Sequence, residues 1–112
     1  MTRLPLNHIM VETSDVSSRF ARYYVYFLFF YKDEGFYIGF TTELKNRLTL
    51  HAAGKVFATK DRIPFKLIHY EYFINKADAK AREEFLKSGY GRKQMKQFLK
   101  NTLNNLNVEG AD

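Results

Sequence analysis

The chain has 112 residues, a formal net charge of +6 at pH 7 and no cysteine. That length suits one domain with its own core and is too short for two. The missing cysteines exclude a disulfide framework and any thiolate-held zinc or iron–sulfur centre, and no apolar run approaches the ~20 residues of a membrane span. Hydrophobic residues make up 46% of the chain and aromatic ones 17%, too many for a wholly disordered protein. Glu12 and Asp15 interrupt what little apolar character the first residues have, so no signal peptide is read. A soluble, cytoplasmic, single-domain protein is expected.

Residues 1–21 show no period, and Thr13-Ser14-Asp15 and Ser17-Ser18 read as loop. They are expected to form a flexible N-terminal extension. Arg22 to Tyr31 is dense in Tyr, Val and Phe, the residues of a strand. Lys32-Asp33-Glu34-Gly35 supplies a turn, with Gly35 free to take a positive φ. Phe36 to Phe40 returns as a second strand, completing a hairpin. Alternation sends Tyr24, Tyr26 and Leu28 to one face, and Tyr23, Val25 and Phe27 to the other.

Thr41-Thr42 offers an N-cap, and Glu43 suits the first turn of the helix that follows. Leu44, Leu48 and Ala52 form an apolar stripe, and Gly54 closes the helix. Arg47 and His51 lie one turn apart at the rim of that stripe. Lys55 to Pro64 is a basic loop. Phe65 to Phe73 alternates as a third strand with bulk on both faces, as expected of a strand covered on two sides. Asn75 caps a second helix over Lys76 to Lys87. Ser88-Gly89-Tyr90-Gly91 interrupts, and a third helix spans about residues 92–103 with Met95, Phe98, Leu99 and Leu103 as its apolar side. The domain is expected over residues 22–103, with a flexible polar tail over 104–112. The fold class is α+β: a small, mostly antiparallel three-stranded sheet flanked by helices, in the order β-β-α-β-α-α.

Charge is clustered. Six basic residues and one acid lie between Lys45 and Lys66, and five basic residues and no acid between Lys87 and Lys100. Such patches suit a polyanion, most often nucleic acid. Lys45, Lys55, Lys60, Arg62, Arg92 and Lys93 are the candidate backbone contacts, which would give salt-sensitive affinity with little sequence preference.

Three groups of residues could carry chemistry, and each has a plain alternative. Tyr26 and Tyr37 could simply pack across the hairpin. Arg47 and His51 could line a solvated helix edge, or else clamp a phosphate and handle a proton. Glu83 and Glu84 could bridge neighbouring lysines on the helix surface. Their order and spacing say more than any one of them. Tyr24-Val25-Tyr26, ten residues, then Tyr37-Ile38-Gly39 resembles the paired tripeptides of the GIY-YIG nuclease family. Arg47 ten residues on, His51 a turn later, and the carboxylate in Ala79-Lys80-Ala81-Arg82-Glu83-Glu84 fall where that family places them. The segment from Arg82 to Arg92 is similar to the small stand-alone, single-domain bacterial members. The first tripeptide has Tyr24 where the family name has Gly. A late Asn of several family branches has no counterpart.

The resemblance implies a metal-dependent endonuclease, a hydrolase of phosphodiester bonds in DNA rather than RNA. Sequence preference would be low or structure-selective, in a DNA repair or recombination setting. It implies that Glu83, with Glu84 in reserve, holds Mg²⁺ (or Mn²⁺). Arg47 would clamp the phosphate, and Tyr26 would activate water with His51 as second base. Tyr37 would position water or phosphate. Gly39 would let the nucleic-acid backbone approach or the strand end turn. A protein partner could supply targeting, and a monomer or weak dimer is expected, with no membrane contact. The alternative is a nucleic-acid-binding module on the same scaffold without catalysis.

Overall fold

The computed structural model describes residues 22–110, with side chains through residue 106; the expected extension over residues 1–21 lies outside this range. The elements are β1 (Tyr23–Phe30), β2 (Gly35–Thr41), α1 (Leu44–Ala52), β3 (Phe65–Phe73), α2 (Lys76–Lys87), α3 (Gly89–Phe98) and α4 (Lys100–Gly110). The sheet order is β2-β1-β3, and β1 runs antiparallel to both neighbours. This is the expected α+β arrangement.

As the central strand, β1 is covered on both faces, and Val25 through Phe30 are all buried. The alternation read from the sequence divides them. Val25 and Phe27 join Ile38, Ala79, Leu86, Met95 and Leu99 in a cluster on the side of α2 and α3. Tyr26, Leu28 and Phe30 join Leu44, Leu48, Phe65 and Leu67 on the side of α1. The sheet is thus a partition with α1 on one face and α2 and α3 on the other.

Several details depart from the sequence reading. The positive φ of the hairpin turn falls on Glu34, at +53°, while Gly35 is already in β2. Asp33 fixes this turn by accepting from the Gly35 amide at 2.8 Å and pairing with Arg62 at 2.7 Å. The buried stripe of α1 runs through Leu44, Leu48 and His51, and Ala52 is exposed. Glu43 is the N-cap residue rather than a first-turn acid; its amide is taken by Thr41 Oγ1 at 3.1 Å. Gly54 closes the helix at φ +72°, as expected.

On β3 the pairing passes from Phe27↔His69 to Leu28↔Leu67, leaving Ile68 as a bulge. The bulge exchanges the faces: Phe65 and Leu67 lie on the α1 side, and beyond it Tyr70 and Tyr72 take that side. Alternation alone would have put Tyr70 and Tyr72 on the same side as Ile68. Nor is this strand covered on two sides, since Tyr70 is 52% and Tyr72 47% exposed.

Asn75 caps α2 as expected, its side chain accepting from the Asp78 amide at 3.1 Å. The break after α2 is a single residue. Ser88 Oγ donates to the Phe85 carbonyl at 2.6 Å and accepts from the Gly91 amide at 3.0 Å, which ends one helix and starts the next. The expected helix over residues 92–103 is two helices. They part at Leu99, whose amide is shared between the Met95 and Gln97 carbonyls. The polar stretch from residue 104 continues α4 to Gly110, and Leu106 is buried one turn past Leu103.

Gly91 sits where α3 presses on the end of α2, and a Cβ there would overlap the Phe85 carbonyl. Gly91→Ala should therefore destabilise the fold by about 1–3 kcal/mol. Gly89→Ala, with open space around it, should be neutral. Urea midpoints of the two variants provide the comparison.

Candidate active site

The α1 face of the sheet holds a buried polar cluster. Tyr26, on β1, has no exposed surface, and its hydroxyl lies 2.8 Å from His51 Nε2 on α1. Arg47, one turn before His51, directs Nε at the same hydroxyl from 3.4 Å. His51 is also wholly buried, and its Nδ1 lies 2.8 Å from Thr59 Oγ1 in the basic loop. Thr59 in turn reaches the Val56 carbonyl at 3.5 Å, a contact that requires the hydroxyl proton. The hydroxyl therefore accepts from Nδ1–H, which leaves Nε2 to accept the proton of Tyr26. Tyr37, on β2, closes the cluster: its ring centroid lies 6.2 Å from that of Tyr26 and 5.2 Å from that of His51.

Burial and charge set the protonation states. Burial pushes the Tyr26 phenol up to about 12, against the opposing pull of Arg47. Burial, reinforced by the Arg47 guanidinium, pushes His51 down to about 4. At neutral pH the cluster is a neutral phenol donating to a neutral imidazole. Arg47 stays charged, held above its ordinary value chiefly by its bond to Tyr26.

Gly39 pairs with Tyr26 across the hairpin. A Cβ at this position would be built into the Tyr26 ring, at its Cζ and hydroxyl. The glycine makes room for the phenol of the same protein. The sequence had suggested instead an approach for nucleic acid or a sharp strand end.

Glu83 is on α2, the helix that packs on the opposite face of the sheet. Its buried carboxylate binds Lys87 Nζ at 2.9 Å and Lys80 Nζ at 3.2 Å. Burial would raise its pKa, but the two ammonium groups outweigh this and hold it below the usual carboxylate range. Among the described residues no hydrogen bond or ion pair joins Glu83 to Tyr26, Tyr37, Arg47 or His51. The link between the two groups is a cleft of about 430 Å³ at the β2 edge, lined by Tyr37, Lys87, Arg92 and Lys96 among others. Lys87 both borders this cleft and binds Glu83. The structure thus assembles four of the five expected residues on the α1 face and places the fifth in the layer on the other side of the sheet.

The family described as GIY-YIG catalytic domain matches residues 22–97. The chain belongs to the GIY-YIG family. A UPF0213 protein of Streptococcus pneumoniae is 39% identical over 69 residues, which are 61% of this chain and 69% of that protein. The UPF0213 protein YsiG of Lactococcus lactis subsp. lactis is 42% identical over 72 residues, 63% of this chain and 69% of the relative. A solution NMR structure of the UPF0213 protein BH0048 from Bacillus halodurans is 34% identical. It covers 69% of this chain and 84% of that one, with a TM-score of 0.46.

In this GIY-YIG domain the two named tyrosines and the final glycine form one packing unit: Tyr26 lies over Gly39, with Tyr37 beside it. The change to Tyr24 at the first position puts a third ring on the α1 side, against Tyr70 and Tyr72. The basic candidates divide. Arg92 lines the Tyr37 cleft, and Lys55, Lys60 and Lys93 are exposed. Lys45 borders a second cleft with Tyr24 and Tyr70. Arg62 is engaged within the fold, paired with Asp33 and stacked 4.2 Å from the centroid of the Phe30 ring. Glu84 is exposed. Thr59, which orients the imidazole, was missed in the sequence; a lone threonine in a basic loop carries no spacing signal.

Two outcomes test the cluster. His51 is neutral in the fold down to about pH 4 but titrates near 6.5 when unfolded. The unfolded chain therefore takes up the proton first, and stability present above pH 6.5 drains away as pH falls toward 4. The expected loss is roughly 3 kcal/mol and should be absent in His51→Gln, as read by urea unfolding across this window. Gly39→Ala should displace the Tyr26 ring, and ultraviolet titration should show its phenol ionising closer to the ordinary 10 than to 12.

Proposed function

We propose that this protein is a divalent-metal-dependent endonuclease that hydrolyses phosphodiester bonds in DNA with low sequence specificity or by structure. The buried Tyr26–His51 bond with Arg47 beside it carries the reading. A buried phenol and imidazole could be structural, but a guanidinium aimed at the same hydroxyl adds a phosphate-binding group where proton transfer is already arranged.

Family membership implies a nuclease, and the residues meet the protein's share of a Mg²⁺ site. Mg²⁺ takes one or two carboxylates and completes its octahedron with water and substrate phosphate. Glu83 supplies one buried, ionised carboxylate, and among the described residues no cluster of three or more His, Cys, Asp or Glu offers more. Lys80 and Lys87 hold the same oxygens, so one ammonium must withdraw when a cation binds. The ion, when present, supplies charge neutralisation on the phosphate and on the leaving oxygen.

The remaining steps belong to the side chains. The Arg47 contact to Tyr26 is long, and the guanidinium can turn to non-bridging phosphate oxygens at small cost. Its departure uncovers the phenol oxygen, which is otherwise sealed from solvent. Tyr26 then accepts a proton from the attacking water while its own passes to His51 Nε2, so no free phenolate is formed. Burial depresses His51 most and the Arg47 charge second; an anionic phosphate beside Arg47 offsets the second of these, which makes the imidazole more basic when substrate is bound. Tyr37, partly buried beside Tyr26 and His51, positions water and phosphate. Arg92, Lys93, Lys55, Lys60 and Lys45 guide the backbone. Action in DNA repair or recombination, with targeting by a protein partner, fits a domain that reads backbone rather than base sequence.

Cleavage of nicked, branched and single-stranded DNA with Mg²⁺ or Mn²⁺ tests the reading. Glu83→Gln and Tyr26→Phe should lower the rate roughly a hundredfold or more while binding changes only a few-fold. A wild-type protein that binds DNA and leaves it intact under all these conditions would establish the binding-only alternative.

A further inference from the structure

The α1 face of the sheet extends past the buried cluster to its open end. There the Ile68 bulge turns Tyr70 and Tyr72 to the same side as Tyr24 and Tyr26. Tyr70 pairs across the strands with Tyr26 itself, and Tyr72 with Tyr24. The Tyr24 ring centroid lies 6.0 Å from that of Tyr70 and 5.6 Å from that of Tyr72. Tyr70 and Tyr72 are about half exposed. A cleft of about 290 Å³ opens beside them, bordered by Tyr24, Tyr70, Arg22 and Lys45, with Glu43 also on its rim.

We infer that Tyr24, Tyr70 and Tyr72 form a stacking platform for unpaired bases of a DNA strand, whose backbone is held by Arg22 and Lys45. Exposed aromatic rings on an edge strand are costly without a partner, since they invite pairing with other chains. A partner protein would suit an apolar patch, but this one is bordered by two cations on a chain of net charge +6. Aromatic faces interleaved with cations are the chemistry of single-strand binding, where stacking tolerates any base and lysine or arginine follows the phosphates. Paired bases are stacked on one another and cannot lie flat on these rings, so the platform selects unpaired segments. Tyr70 stands directly opposite Tyr26, so a strand held here leads its backbone toward Arg47 and the proposed scissile position.

This inference rests on the endonuclease reading for the identity of the strand as DNA, and it deepens that reading by naming an unpaired segment as the substrate class. Binding and cleavage are therefore measured separately. The full chain should bind a fluorescent oligo-dT strand more tightly than a duplex of equal length. Tyr70→Thr combined with Tyr72→Thr, which keeps strand-forming residues at both positions, should weaken oligo-dT binding roughly 10- to 100-fold and leave duplex binding unchanged. Tyr70→Phe with Tyr72→Phe should retain wild-type affinity, since rings and not hydroxyls do the stacking. Lys45→Gln should weaken strand and duplex alike.

Tyrosine-dependent oligo-dT binding in a protein that never cleaves would uphold the platform and end the nuclease reading. Cleavage in which the threonine variant keeps wild-type oligo-dT affinity would do the reverse. Absence of oligo-dT binding by the wild type, or tighter binding of oligo-rU, would overturn the platform as stated.

Discussion

The hydrogen bond from the Tyr26 phenol to His51 Nε2 is the constraint on which the arrangement depends. It joins the central strand to α1, through two side chains with no exposed surface. Neither group can turn away without leaving a buried polar atom unpaired, at a cost of about 1–3 kcal/mol. The bond therefore fixes the rotation of α1 against the sheet. That rotation decides where Arg47 points, one turn earlier on the same helix. Thr59 extends the constraint into the basic loop, and Gly39 supplies the space that the phenol occupies.

The carboxylate is built on different principles. Glu83 belongs to the layer on the other side of the sheet and is kept ionised by two lysines instead of by a dry neutral network. The sheet thus separates the neutral Tyr26–His51 pair from the ionised Glu83, and Lys87, which binds Glu83, also lines the cleft at the β2 edge. This separation avoids placing a bare carboxylate against Arg47 and His51. A carboxylate there would pair with the guanidinium and would draw a proton onto the imidazole.

The α1 face also shows how a single irregularity changes the character of a surface. Without the bulge at Ile68, the β3 tyrosines would continue on the α2 side. With it, three tyrosine rings gather on the face that already holds the polar cluster. Arg62 shows the opposite effect. It looks like any other cation of the basic loop, but its guanidinium is bound between Asp33 and the Phe30 ring and braces the hairpin turn.

The sheet with its hairpin, the faces of β1, the Asn75 cap and the spacing of Tyr26, Tyr37, Arg47 and His51 were legible in the sequence alone. Each is set by local chemistry: alternation on a pleat, a side chain returning to its own backbone, or a helix repeat. The division of the last helix at Leu99, the continuation of α4 through Leu106, the bulge at Ile68 and the true burial of His51 were not. Nor were the roles of Thr59 and Gly39. These depend on partners on other elements or in loops, from 8 positions away for His51 and Thr59 to 42 for Phe27 and His69. The lysine bridges to Glu83, by contrast, stand in the sequence as the plain alternative for that residue. A spacing rule records which residues could meet; only packing in three dimensions decides which hydroxyl, ring or ammonium is actually there to meet them.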